Sequence, residues 1–426
     1  MKLFNSILLT GLISAIGINA TTTTTSTTAN TSTSTTSTSN NSCSFSSTTI
    51  SALTAVEQVN SCPTLDGTIL ITGNEISEIN LNSINQLNAN LTIYNSSTIN
   101  TINLNSIENI TGSLNFNNLT QLRTINLNLI EMAQDLQFIS LPNFENLNLN
   151  SDVLKAGRII LSNTALSNLN GLALFDSIEY ININNNKNMS QLNFENLKNV
   201  SDSLILSFNH NNAQVNLNNL DWCSNLTIQD VSNFQANNLT FINGSLQFSY
   251  NSFDSLNVSS LTNIGSSLQI FANDELENLA FGSLTSIGGE LRFFNNSELS
   301  QLNQTFTALQ RIDGAVSING NIDSFNLPNL QRIRGDFQLN STSEDFNCDE
   351  FNDYHENGDI EGNNYICSYP SGSLIVTEGS TSSFSATDGS SETTSTDGNR
   401  SSGVEKLFIP NFAVVLVGIC LGFLML

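Results

Sequence analysis

The sequence predicts an all-β chain, a right-handed β-solenoid of about 13 turns with a 22–23-residue repeat. Three observations lead there. An apolar–x–apolar triplet first occurs at 69–71 and recurs from 91, 114, 136, 159, 181, 204, 226, 246, 268, 291, 316 and 337. Self-similarity at a fixed short period is the signature of a stacked repeat architecture. Each triplet alternates as a short strand does, and no run of strong helix formers interrupts the repeats, which favours a β-solenoid over a helix-backed horseshoe. A repeat this short cannot bury its apolar side alone, so successive turns must stack over one continuous core.

Each element of the repeat follows. About ten residues after a triplet comes a second short strand, as at 102–104 or 192–194. A third apolar step follows, as Leu261 then Ile264, or Leu284 then Ile287. Gly112, Gly244, Gly289, Gly314 and Gly335 lead into the next copy. Asn often follows the triplet, at Asn95, Asn118, Asn163, Asn185, Asn209, Asn273, Asn296 and Asn321. Asn suits an αL corner, and stacked Asn side chains can bond along the rod as a ladder. These are read as corner residues, not binding residues.

A solenoid exposes open strand edges at its ends and needs caps. Cys43 and Cys62 precede the first copy, and Cys348 and Cys367 follow the last, each pair 19 residues apart. Local disulfides Cys43–Cys62 and Cys348–Cys367 are expected, with short capping helices over 51–60 and 349–357. Cys223, beside Trp222, is expected to be a buried free thiol.

The ends of the chain look like addresses. Residues 1–20, with Lys2 ahead of an apolar run, resemble a secretory signal peptide. Residues 404–426 end in an uncharged apolar tail after the small residues Ser401, Ser402 and Gly403, the layout of a GPI-attachment signal with Ser401 as the attachment residue. Residues 21–42 form a Ser/Thr-rich tract and 368–403 a Ser/Thr-rich stalk, both expected to be disordered and O-glycosylated. The capped solenoid is expected over 43–367, with its repeats over about 65–341.

Composition excludes several functions. The chain of 426 residues carries 37 acidic and 12 basic residues, a net charge of −25, yet only 12% of residues are charged. Nucleic-acid binding needs clustered Lys and Arg and is not expected. Two His and no ligand-like spacing argue against a metal, and no cofactor is expected. Polysaccharide hydrolysis requires paired carboxylates. The outward second and fourth positions of all thirteen triplets hold no Asp or Glu; the loop carboxylates Asp230, Asp274 and Glu275 have no partners, and His210 and His355 lie far apart. No catalytic residue is predicted.

Two kinds of surface site remain. N-glycosylation sequons occur at Asn90, Asn95, Asn109, Asn118, Asn188, Asn199, Asn225, Asn238, Asn243, Asn257, Asn295, Asn303 and Asn340, and also at Asn30, Asn40 and Asn399. Phe271 and Phe294 occupy equivalent fourth positions on adjacent turns, where they should stack about 4.8 Å apart. Gln269 and Arg292 sit beside them. Aromatics flanked by planar polar groups make this a candidate glycan patch.

The order of these features, with GSLQF at 244–248 and NDELENLAFGSLTSIGGELRFFNN at 273–296, resembles the fungal GPI-anchored cell-wall organisation proteins related to the sporulation-specific wall proteins. Their leucine-rich repeats are similar to receptor L-domains. The resemblance covers nearly the whole chain. It implies a glycoprotein of the plasma-membrane outer leaflet and wall, with cell-wall glycans or mannoproteins as partners. It implies a non-catalytic role in wall integrity or in the ascospore wall, and it supplies no catalytic residues. A carbohydrate-binding or adhesive role is the alternative.

Overall fold

The computed structural model describes residues 42–169, 171–377 and 383–386. Within them the thirteen triplets are rungs of one parallel sheet. Ile69 stands opposite Leu91, Leu91 opposite Leu114, and so on to Val316 opposite Phe337. First and third triplet residues point inward: Leu114, Phe116, Leu136 and Phe138 are fully buried. Second and fourth residues stand outward, although Asn182, Ser207 and Ser249 are buried there. This alternation is the pleat at work: successive side chains leave opposite faces, so one apolar file lines the core and one polar file meets water.

Short strands build a second face from the segment ten residues on. Glu78–Asn80, Thr101–Asn103, Thr124–Asn126 and Asn146–Asn148 form one parallel set. Gln191–Asn193, Gln214–Asn216 and Asn233–Gln235 form another. Among the described residues the repeat that starts at 159 shows no second-face strand, and the two sets are separate. Phenylalanines stack through the interior in the same periodic way, as Phe116–Phe138 at 5.3 Å and Phe281–Phe306 at 5.5 Å between ring centroids.

The sheet gains one rung at each end of the thirteen triplets, and the solenoid has about 14 turns. Ser42–Ile50 pairs parallel with Thr64–Thr72, and Tyr365–Tyr369 with Phe337–Ser341. Leu53–Asn60 and Asp349–Glu356 are helices that bury Val56, Val59 and Phe351 against the ends of the core. Cys43 is bonded to Cys62 and Cys348 to Cys367, with Cα atoms 5.8 and 6.0 Å apart. Each bond ties a cap to an end rung. At the C-terminal end Phe337 stacks on Tyr365 at 5.4 Å, and Tyr365 on His355 at 4.4 Å.

One expectation needs correction. The stalk expected from 368 onward begins with ordered structure: Gly372–Val376 folds back antiparallel on Tyr365–Tyr369, and Ser383–Ala386 pairs with it in turn. Ser/Thr richness concealed a strand whose Leu374 and Val376 pack on the core. The physical need is the open edge of the last rung, which this hairpin covers.

The corner after each triplet divides labour between two adjacent residues. The first lies in αL: Gly73, Asn95, Asn118, Ser140, Asn163, Asn185, Phe208, Asp230, Tyr250, Ala272 and Asn295 all have positive φ. The next residue turns inward. There Asn186, Asn209, Asn251, Asn273 and Asn296 are buried. The Asn273 amide donates to Phe248 O and Phe271 O at 3.1 and 3.2 Å and to Asn296 Oδ1 at 3.1 Å. Its backbone N–H also donates to Asn296 Oδ1 at 3.1 Å. Turn and ladder overlap only in part: Asn95, Asn118, Asn163 and Asn185 make the turn, the Asn118 amide also donating to Asn95 Oδ1 at 2.9 Å, while Asn209, Asn273 and Asn296, one residue further on, make the buried ladder. Asn321 does neither. Its strand runs on to Gly320, so the corner slips and Asn321 is exposed.

Glycine is required where rungs approach most closely. A Cβ on Gly288 would strike the Gly265 carbonyl of the turn before, and one on Gly335 would strike the Gly314 backbone. Only hydrogen fits between backbones held at rung spacing.

Candidate functional site

The outward face of the main sheet is polar over most of its length and becomes aromatic in its C-terminal half. Phe271 and Phe294 are register partners, and their rings stack 4.7 Å apart with a 3° interplanar angle. Arg292 lays its guanidinium 4.9 Å from the Phe294 centroid, a cation–π contact. Gln269 is opposite Arg292 on the neighbouring rung. All four residues of the candidate patch thus lie on two adjacent rungs.

Two further rings join them. Tyr250 lies 5.8 Å from Phe271 and Phe208 lies 6.1 Å from Tyr250. Both occupy αL corners, with φ of 58° and 52°, and both are exposed, 54% and 38%. Positions of this kind favour Gly or Asn, and a bulky residue there costs about 1 kcal/mol or more. Sequence reading missed them because it followed only the strand positions. The available signal was an aromatic four residues after the first triplet position, where five other repeats have Asn and the rest a Gly, Ser, Ala or Asp. Gln229 and Gln247 flank the row, their amides donating to Ser249 Oγ at 2.8 and 3.1 Å.

The other singled-out residues do not converge. Asp274 receives Ser297 Oγ at 3.3 Å and His210 Nδ1 receives the Asn212 backbone N–H at 3.0 Å. Among the described residues no group of three His, Cys, Asp or Glu side chains is arranged to hold a metal ion. Cys223 is unpaired and buried; its thiol donates to Asn225 O at 3.0 Å, and burial pushes its pKa up to about 12. At neutral pH it is protonated and unreactive. Among features sequence reading missed, Asp313 gathers Arg311, Arg332 and Arg334 at 3.2, 3.5 and 3.4 Å.

Among the sequons, Asn90, Asn95, Asn118, Asn188, Asn238, Asn243, Asn257 and Asn295 are exposed, and Asn109, Asn199, Asn225, Asn303 and Asn340 half-buried. Asn225 is held at both amide atoms, donating to Asp202 O at 3.1 Å and accepting from Ser245 N at 3.0 Å. Asn30, Asn40, Asn399, Ser401, the signal segment 1–20, the tract through residue 41 and the tail 404–426 lie outside the described residues.

Known proteins are similar to this chain over much of its length. The chain is 50% identical over 328 residues to the cell surface GPI-anchored protein ECM33 of Candida albicans, covering 77% of this chain and 79% of that one. It is 34% identical over 336 residues to the cell wall mannoprotein PST1 of Saccharomyces cerevisiae, covering 77% and 72%. The chain belongs to the fungal family of GPI-anchored cell-surface and cell-wall proteins. Sporulation-specific protein 2 of Saccharomyces cerevisiae matches more narrowly, at 29% over 211 residues, 50% of this chain and 42% of its own. No family model and no solved structure matches. Membership places this family member at the outer leaflet of the plasma membrane and in the cell wall, as a wall protein.

Proposed function

We propose that this wall protein acts without catalysis, as a rigid spacer that organises the fungal wall, held to the membrane by a GPI lipid at Ser401. The carrying observation is the capped rod itself: its outward strand files bear no converging carboxylates, and its relatives are named as a cell surface GPI-anchored protein and a cell wall mannoprotein. The rod needs no ligand to be rigid, since every rung is bonded to the next. N-glycans at about half of the thirteen structured sequons would coat the flanks, and Ser/Thr-linked sugars the tails. The signal segment 1–20 is removed, and the stalk beyond the C-terminal hairpin spaces the rod from its lipid.

Deletion of the gene tests this. Cells lacking the protein become hypersensitive to wall-binding dyes in vegetative growth, and wild-type sensitivity in both vegetative and sporulating cells would overturn the reading. A defect confined to sporulating cells would assign the protein to the ascospore wall. N-glycosidase treatment increases gel mobility; unchanged mobility would remove the glycan coat.

A second reading is favoured by the stacked Phe271–Phe294 pair. Here the protein binds carbohydrate of the wall through Gln269, Phe271, Arg292 and Phe294 and serves as a carbohydrate-binding or adhesive surface. Glycans or mannoproteins of the wall are the partners.

A further inference from the structure

The row Phe208, Tyr250, Phe271 and Phe294 is, we infer, a track that binds a neutral β-linked glucan chain lying along the rod. This rests on the carbohydrate-binding reading and goes beyond its two-ring patch in extent, direction and polymer class.

The first support is continuity. Centroid separations of 6.1, 5.8 and 4.7 Å join four rings spread over five turns, so the row runs along the stacking axis and not across it. One turn of the row, at Asp230, has no ring; Phe208 and Tyr250 lean together over it.

The second support is strain. The αL corner is an Asn, Gly or Ser in most turns, and folding has no use for Phe or Tyr there. Exposed aromatic rings at two strained positions mark a site whose side chains serve something other than folding.

The third is shape. Phe271 and Phe294 stack face to face, so they offer solvent a ridge of ring edges. Tyr250 is turned 81° from Phe271 and is more than half exposed, so it presents a surface at right angles to that ridge. A β-linked glucopyranose carries its hydroxyls at the ring's edge and apolar C–H groups on its faces. Its faces pack on the aromatic surfaces, and its edge hydroxyls meet the Gln229, Gln247 and Gln269 side chains.

The row is one ring wide and rimmed by polar groups. A stable protein interface buries about 800 Å² per partner around an apolar centre, which so narrow a strip does not supply. The chain's charge of −25 disfavours an anionic polymer.

Full-length protein extracted in detergent is tested for retention on particulate linear β-1,3-glucan, with soluble β-1,3-glucan and α-mannan as competitors. Retention that soluble β-1,3-glucan relieves and mannan does not is expected. Tyr250→Ser weakens retention by roughly tenfold, Tyr250→Phe keeps it, and Thr72→Ala on a distant outward position leaves it unchanged. Equal retention of wild type and Tyr250→Ser, equal loss in Tyr250→Phe or Thr72→Ala, or retention relieved only by mannan overturns the track. Binding that persists without Tyr250 leaves the broader carbohydrate reading standing; no retention on any polysaccharide removes both. Dye sensitivity of the deletion strain tests the organising role separately.

Discussion

The two halves of the rod use the same amide in opposite surroundings. In the N-terminal half, Asn80, Asn103, Asn126 and Asn148 stack on the second face, each amide donating to the preceding Oδ1 at 2.6 Å. Asn82, Asn105 and Asn128 repeat the pattern alongside, at 3.0 and 2.6 Å. Asn80, Asn82, Asn103, Asn105 and Asn148 are exposed or partly exposed, so water competes for every bond. From the sixth triplet onward the ladder moves inside: Asn186–Asn209 and Asn251–Asn273–Asn296 bond at 2.9–3.1 Å where water does not reach. The corresponding inward corner positions of the N-terminal half include Leu119 and Leu141. An apolar residue fills that space as well as an amide does. The lesson is that ladder chemistry is the same in both halves, but only burial makes a broken rung expensive.

The comparison can be broken experimentally, starting with the largest effect. Asn273→Ala removes the partner of the Asn251 N–H, the side-chain donor to the Phe248 carbonyl and one of two acceptors of the Asn251 amide, and should cost about 3 kcal/mol or more by chemical unfolding. Asn273→Leu should fail similarly, because the neighbouring amides stay buried. A loss below about 1 kcal/mol in Asn273→Ala would mean that water replaces the amide. Next, Cys348→Ser with Cys367→Ser should cost about 3 kcal/mol for the 19-residue separation and lower the thermal midpoint, the C-terminal cap fraying first. Proteolysis beginning instead at the centre of the rod would contradict this.

Smaller effects sharpen the contrast. Tyr250→Gly should gain up to about 1 kcal/mol by relieving the αL corner, even as it removes the exposed ring. Stability lost there would mean that the ring row holds the fold together. Asn126→Ala on the outer ladder should change stability by about 1 kcal/mol or less. At the end of the scale stands Cys223. Native protein at pH 8 should leave its thiol unlabelled by a maleimide, while denatured protein labels fully, because the folded thiol titrates near pH 12. Rapid native labelling would show that the rod opens near Trp222.

Much of this was legible in residue order. Ile69, Leu91 and Leu114 fall at register partners because each turn repeats the length of the one before, so period alone specifies which residues stack. The caps were legible because an open edge requires closure and the cysteines sit at the edges. The hairpin at Gly372–Val376 was not, since its Ser-rich composition resembles the tail that follows. The ring row was half legible. Phe271 and Phe294 share a strand position, and counting finds them. Phe208 and Tyr250 meet across a turn whose corner is Asp230, and their contact depends on how far side chains lean over that small residue.

The sequence by itself determined the rod, its period, its inward and outward files and its staples, because these follow from pleat alternation and turn length. Only the tertiary structure decided which of the many asparagines are buried, which make the turn, and that four aromatic rings form one row. Those outcomes depend on what the neighbouring turn places within a few ångströms. A residue's own letter carries no information about that neighbour.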